Sequence, residues 1–185
     1  MSNLEQIKPL FEWTSVRWNK CQVLYDLAKQ ATGPIVELGA YDGNGTLALG
    51  LGSKAGNKVP VYGIDQWQRF TGLYAQQFYP EDYDRFVQNI IKADLSQIIQ
   101  PIKGESGKVA QVWEKEIALL VWDISLPRLR QDWVWWHKHI KGMFVAKDTT
   151  TFDFGWLDVK GYALKEGWQA GPEWPEACLW SVRND

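Results

Sequence analysis

Five short apolar runs recur along this chain of 185 residues, each ending beside a carboxylate, with helix-patterned stretches between them. The runs are Ile35–Leu38, Val59–Ile64, Ile98–Lys103, Ile117–Trp122 and Met143–Ala146, and the acids are Glu37, Asp65, Glu105, Asp123 and Asp148. A strand that is apolar without alternation is buried on both faces. Such strands, alternating with helices, imply a parallel sheet covered on both sides. In an open sheet of this kind ligands bind at the carboxyl ends of the strands, where the five acids would stand in register.

The stretches between the runs have helical spacing. Trp18, Cys21, Leu24, Tyr25, Ala28 and Ala31 share one face from Ser15 onward, and Gly33-Pro34 stops that helix. A helix follows the glycine loop to about Lys54, and another runs from Pro80 with Tyr83, Phe86, Val87, Ile90 and Ile91 on one face. Residues 107–114 make a fourth. The stretch after Ser125 makes a fifth, with Leu129, Trp133, Trp136 and Ile140 facing the core. Beyond strand five the sequence predicts a short helix around 157–166. Two short strands follow, Trp168–Ala170 and Ala177–Val182, joined at Gly171-Pro172 as an antiparallel hairpin. No linker divides the chain, so residues 1–185 read as one domain, with 1–31 a helical cap and 33–182 the core.

Charge excludes little but directs the reading: 20 basic against 22 acidic residues, without a basic run, favours neither nucleic acid nor an anionic membrane. No apolar stretch approaches a membrane span, and the polar N-terminus is no signal peptide. Cys21 and Cys178 lack metal or redox spacing. The expected setting is cytoplasmic and the expected partner a small molecule, with homo-oligomerisation left open. Of the twelve tryptophans, Trp113, Trp122, Trp133, Trp136 and Trp180 fall on apolar faces. Trp67, Trp156 and Trp174 fall in loops, where an exposed ring is the better candidate for ligand contact.

The most specific segment is Ile35-Val-Glu-Leu-Gly-Ala-Tyr-Asp-Gly-Asn-Gly-Thr46. A strand runs into a tight glycine turn that opens a helix, an arrangement that brings backbone N–H groups close to a ligand. Glu37, Gly39, Ala40, Tyr41 and Gly43 form the candidate cradle. Asp65, followed by Gln66 and Trp67, ends strand two, where a carboxylate accepts from ribose hydroxyls. Glu105 and Ser106 follow strand three, where an adenine edge would lie, with Ser106 equally placed as a helix cap. Gly43-Asn-Gly-Thr-Leu-Ala48 also matches a dinucleotide-binding pattern, although that pattern should begin directly after the strand. Asp123 and Asp148 close strands four and five. They could hold a hard cation such as Mg²⁺, which would activate an acceptor hydroxyl, or one of them could serve as general base. Each has a plainer reading as a turn or cap residue. His137 and His139 read as surface residues near a helix C-terminus.

The spacing Glu37-x-Gly39-x-x-x-Gly43 resembles the first motif of class I S-adenosylmethionine-dependent methyltransferases. With Val-Tyr-Gly-Ile-Asp65, Ile-Lys-Gly-Glu-Ser106, Leu-Leu-Val-Trp-Asp123 and Ala-Lys-Asp148, the chain resembles the branch containing cephalosporin-biosynthesis and macrolide sugar O-methyltransferases. That resemblance implies a Rossmann-like three-layer α/β/α sandwich, seven mostly parallel strands with an antiparallel C-terminal hairpin, and S-adenosylmethionine as cofactor. It also implies methylation of a hydroxylated or sugar-like acceptor. In that branch histidines accompany the two acids, whereas here Ser125, Leu126 and Lys147 stand nearby. This departure keeps open a binding or scaffold protein on the same fold. A nicotinamide-dependent oxidoreductase is the third reading.

Overall fold

The computed structural model describes residues 3–12, 15–67, 81–124, 129–147, 164–165, 167–174 and 177–181. A 3₁₀ helix, Asn3–Leu10, precedes α1 (Ser15–Gln30), β1 (Ile35–Leu38), α2 (Asn44–Ala55), β2 (Val61–Asp65), α3 (Glu81–Lys92) and β3 (Ile99–Lys103). Then come α4 (Ser106–Gln111), β4 (Ile117–Trp122), α5 (Leu129–Trp136), a 3₁₀ turn at His137–His139, β5 (Ile140–Lys147), β6 (Gln169–Trp174) and β7 (Ala177–Ser181). This is a Rossmann-like α/β fold. Its strands are ordered β3-β2-β1-β4-β5-β7-β6, and β1 to β5 run parallel. At the far edge β7 pairs antiparallel with both β5 and β6.

The unbroken apolar runs have a direct cause. Ile35, Leu119, Val121 and Val145 pack on one face of the sheet with α1, α2 and α3. Their neighbours Val36, Leu38, Leu120, Trp122, Phe144 and Ala146 pack on the other with Trp133 and Trp136 of α5. Alternate side chains enter different cores, so neither register position may be polar. Glu37 is the buried exception in β1, and it lies on the α2 side. The N-terminal helices belong to the same core, since Leu4, Ile7, Cys21, Leu24 and Ala28 join its α2 face. Gly52 lets α1 approach closely, because a Cβ there would meet the Tyr25 carbonyl.

Several expectations need correction. Ile140 leaves the helix and opens β5, pairing with Ile117, so strand five starts three residues before Met143. Helix four is Ser106–Gln111 rather than 107–114, which leaves Trp113 beyond its end. Ile91 is 55 % exposed although Ile90 is buried; the apolar stripe of α3 is narrower than its composition suggested. Gly171-Pro172 is no turn but lies within β6, where the register slips by one residue between Ala170 and Glu173. An edge strand tolerates proline at such a bulge. Most of the expected helix around 157–166 lies outside the described residues.

Candidate active site

From β1 the chain steps outward to β2 and β3, then returns to the other side of β1 as β4. The resulting crevice between β1 and β4 is the switch point at which open α/β sheets bind ligands. Hydrogen bonds across the strand ends keep the edge level. The Asp123 amide donates to the Leu38 carbonyl (2.8 Å), Gly39 to Ile64 (2.8 Å) and Gly104 to Asp65 (2.8 Å). The structure thereby brings Glu37, Asp65, Glu105 and Asp123 to one edge of the sheet. Lys147 pairs with Ala177 one residue beyond the Trp122–Ala146 pair, and Asp148 after it lies outside the described residues.

The loop after β1 is tightly built. Gly39 has φ +89°, and a Cβ on it would overlap the Asp123 carbonyl, so only glycine fits. Tyr41 and Trp67 also occupy left-handed backbone, at φ 44° and 43°, which costs non-glycine residues about 1–2 kcal/mol each. Asp65 holds both. Its Oδ2 accepts from the Tyr41 amide and its Oδ1 from the Trp67 amide, each at 3.0 Å, and the Gln66 amide bonds the same carboxylate. The Trp67 indole N–H then donates to the Tyr41 carbonyl at 2.7 Å. Burial pushes the Asp65 carboxyl above the usual carboxylate range, these N–H groups pull it back, and the nearby Asp123 adds to the rise. Trp67 is no exposed loop aromatic. It is 3 % exposed and stacks on Phe86 with its edge toward Tyr83, bolting the Asp65 loop to α3.

Glu37 is 1 % exposed and turned beneath the first turn of α2, where the Thr46 hydroxyl donates to it. A Cβ at Gly45 would overlap its Oε1. The carboxylate therefore occupies the space that the missing side chain leaves at the positive end of the α2 dipole. This also decides the glycine pattern. Gly43 caps α2 with φ +98°, and Gly45 serves Glu37 rather than a pyrophosphate. Within the same loop, burial raises the Asp42 carboxyl against its bond to the Asn44 amide and the pull of Arg17 and Arg85.

Glu105, not Ser106, is the N-cap residue of α4. Its carboxylate stays partly exposed beside Lys108 at 3.2 Å. Ser106 is buried, and its Oγ accepts from the Trp136 indole at 2.9 Å, which leaves the hydroxyl proton to donate. His137 stacks on Trp133 and His139 lies against Trp136; both sit near the amino end of β5.

Sequence reasoning missed Lys20. From α1 its ammonium forms an ion pair with Asp123 Oδ2, with the two side chains only 18 % and 13 % exposed. Burial alone would lower the Lys20 pKa; Asp123 and Glu37 outweigh it and hold the group well above the ordinary lysine value. The pair spans 103 positions, and no local pattern marks it. The one available signal was a charged residue adjacent to Cys21 on a helix whose other face is core.

A cleft of about 350 Å³ lies elsewhere, between Gly33, Glu116 and Lys141 at the amino ends of the strands. It is shallow and away from the glycine loop, and the loop geometry is the better guide to the site.

A family model described as a methyltransferase domain matches residues 36–148, which is more than half of the chain and runs from β1 past β5. This chain belongs to that methyltransferase family. No curated protein matches its sequence. Among solved structures, the O-methyltransferase NovP superposes with TM-score 0.70 at 14 % identity, over 91 % of this chain and 80 % of that one. An O-methyltransferase from Bacillus cereus in complex with SAH gives 0.62 at 14 % identity, over 99 % and 91 %. A putative caffeoyl-CoA O-methyltransferase from Staphylococcus aureus gives 0.70 at 10 % identity, over 100 % and 93 %. At these identities the likeness is one of fold. Among the described residues no helix is long and apolar enough to cross a membrane.

Proposed function

We propose that this methyltransferase uses S-adenosylmethionine to methylate a hydroxyl oxygen of a small hydroxylated or sugar-like acceptor. The observation that carries the reading is the lock between the Gly39–Gly43 loop and Asp65 at the switch point, in a chain of this family. A carboxylate has about four acceptor positions, and three backbone N–H groups already use Asp65. About one position remains, enough for one ribose hydroxyl rather than the two expected. The small residues Gly39 and Ala40 would admit the ligand close to the backbone, and Gln66 and the backbone at Trp67 would continue the wall. Glu105 and the Ser106 hydroxyl would take the adenine edge. The resemblance to O-methyltransferases of solved structure supports oxygen as the acceptor atom.

The cofactor, when bound, would supply a methyl group on a sulfonium sulfur, whose positive charge Glu37 and Asp123 would help to balance. This chain contributes orientation of the two reactants and a carboxylate, Asp123 or Asp148, to take the hydroxyl proton. Asp123 is held by Lys20, so Asp148 is the better base of the two. We read residues 1–185 as one domain with 1–31 its helical cover, in a cytoplasmic setting that suits the free buried thiol of Cys21. The hold on Asp123 also favours a second reading, a methyltransferase fold kept for binding. Calorimetry with S-adenosylmethionine and S-adenosylhomocysteine tests the first claim, and absence of heat at millimolar ligand rejects it. Transfer of labelled methyl to any member of a hydroxylated-acceptor panel rejects the binding-only reading.

A further inference from the structure

The Lys20–Asp123 pair stands where the sequence placed one half of a divalent-metal site. Asp123 is the residue directly beyond β4, and its backbone carbonyl lies against Gly39, so its carboxylate flanks the switch-point crevice. The cation on it comes from a helix that cannot easily swing away. α1 is seated in the core by Cys21, Leu24 and Ala28, the Cys21 thiol lies 3.4 Å from the Asn44 carbonyl at the start of α2, and Gly52 admits the close helix contact. Lys20 is also near enough to Glu37 to feel its charge. One ammonium thus pairs with Asp123 and lies within electrostatic reach of Glu37. Among the described residues no cluster of three or more His, Cys, Asp or Glu could hold a metal ion. A hard divalent cation asks for oxygen ligands and retained waters; at Asp123 it would meet a positive charge already bonded to the ligand oxygen.

We propose that Lys20 is the resident cation of this site, an ammonium delivered by α1 that takes the place of a divalent metal at Asp123 and excludes it. The proposal deepens the methyltransferase reading and rests on it for its role in catalysis. Lys20 acts through Asp123, as a positioning residue. It balances the negative edge of the crevice and fixes the carboxylate without touching the reacting atoms.

The test is Mn²⁺ binding, followed by electron paramagnetic resonance, to the wild-type protein, Lys20→Gln and the double variant Lys20→Gln/Asp123→Asn. Wild type should show no saturable binding. Lys20→Gln should bind at least about tenfold more tightly, because a full repelling charge has left the site, and the double variant should lose that gain. The proposal is overturned if wild type and Lys20→Gln behave alike, whether both bind or neither does, or if the double variant still binds. Should Lys20→Gln fail to fold by circular dichroism, the wild type decides: saturable Mn²⁺ binding that Asp123→Asn abolishes overturns the proposal, and its absence supports it. S-adenosylhomocysteine titrated into the same wild-type sample separates the two claims. No binding there rejects the methyltransferase reading whatever Mn²⁺ does.

Discussion

Replacing Asp65 by alanine should loosen the cradle more than it unfolds the protein. The substitution removes the acceptor of the Tyr41 and Trp67 amides, both at 3.0 Å. Hydrogen bonds to a charged group contribute about 1.5–3 kcal/mol each, so the gross loss from these two is about 3–6 kcal/mol, and the Gln66 amide adds to it. Two effects oppose it. Tyr41 and Trp67 sit at φ 44° and 43°, and a loop freed from Asp65 can relax, recovering about 1–2 kcal/mol at each. The buried carboxylate also no longer needs to be ionised against its surroundings. The net loss of stability should therefore be about 1–3 kcal/mol, read by urea unfolding.

Affinity should fall further than stability suggests. The relaxed loop is the one that would meet the ligand, and the same substitution removes the remaining acceptor position. Loss of one charged hydrogen bond corresponds to about tenfold to a hundredfold in Kd, measured by titration with S-adenosylhomocysteine. Asp65→Asn discriminates between charge and shape. Both carboxylate oxygens accept from N–H groups, so an amide must turn its NH₂ against one of them, and asparagine should cost at least as much stability as alanine. If Asp65→Ala shifts neither unfolding nor affinity, the lock does not organise the site and the reasoning fails.

Gly45→Ala should destabilise the fold by about 1–3 kcal/mol, the cost of overpacking, because its Cβ overlaps Glu37; Gly45→Ala paired with Glu37→Ala should recover part of it, and urea midpoints decide. Burial pushes the Cys21 thiol from 9.0 up to about 12, so in a Cys178→Ser background it should be alkylated by iodoacetamide about a thousandfold more slowly folded than unfolded; equal rates would refute the buried placement. Lys20 titrates above its ordinary 10.5, so its stabilisation is complete below that pH and is lost as pH rises through the folded value. The stability gap between wild type and Lys20→Gln should accordingly narrow in strong alkali, and a gap constant with pH would contradict the ion pair. Asp42 and Asp65 act in the same direction, but in the acid range. Their carboxyls are raised from 3.8, so their contribution falls as pH rises from that value toward the folded one. The fall should be absent in Asp42→Asn/Asp65→Asn.

What could be read in the sequence follows from the range of the interactions. The five parallel strands were legible because burial on both faces leaves a mark at every position, as in Ile117–Trp122. The positions of Glu37, Asp65, Glu105 and Asp123 near the strand ends were legible because strand ends are fixed by the same runs. Trp67 was misjudged because its neighbours suggest a loop, while its burial depends on Phe86 and Tyr83 of α3. Ile140 was misplaced because a helical spacing of apolar residues continued by chance into the first residue of β5. Ser106 was read as an adenine contact or, equally, a cap; the cap is Glu105, and the Ser106 hydroxyl accepts from Trp136, thirty positions away. Lys20 left only a faint trace, since its partner Asp123 is 103 positions away and a lysine on an amphipathic helix ordinarily faces solvent.

The same contrast explains why the charge at the crevice differs from what its strand-tip acids imply. Taken alone, Glu37 and Asp123 describe a negative pocket that would draw in a metal ion. Burying either carboxylate without a counter-charge costs several kcal/mol, so the fold must provide one somewhere. It provides two partial answers for Glu37, the Thr46 hydroxyl and the start of α2, and a full one for Asp123 in Lys20. An ammonium rooted in the core also differs from an exchangeable ion, because its presence does not depend on concentration. A site built this way trades the stronger polarising power of a divalent cation for a charge that is always in place. The acceptor that suits it is one whose hydroxyl gives up its proton to a carboxylate without help from a metal.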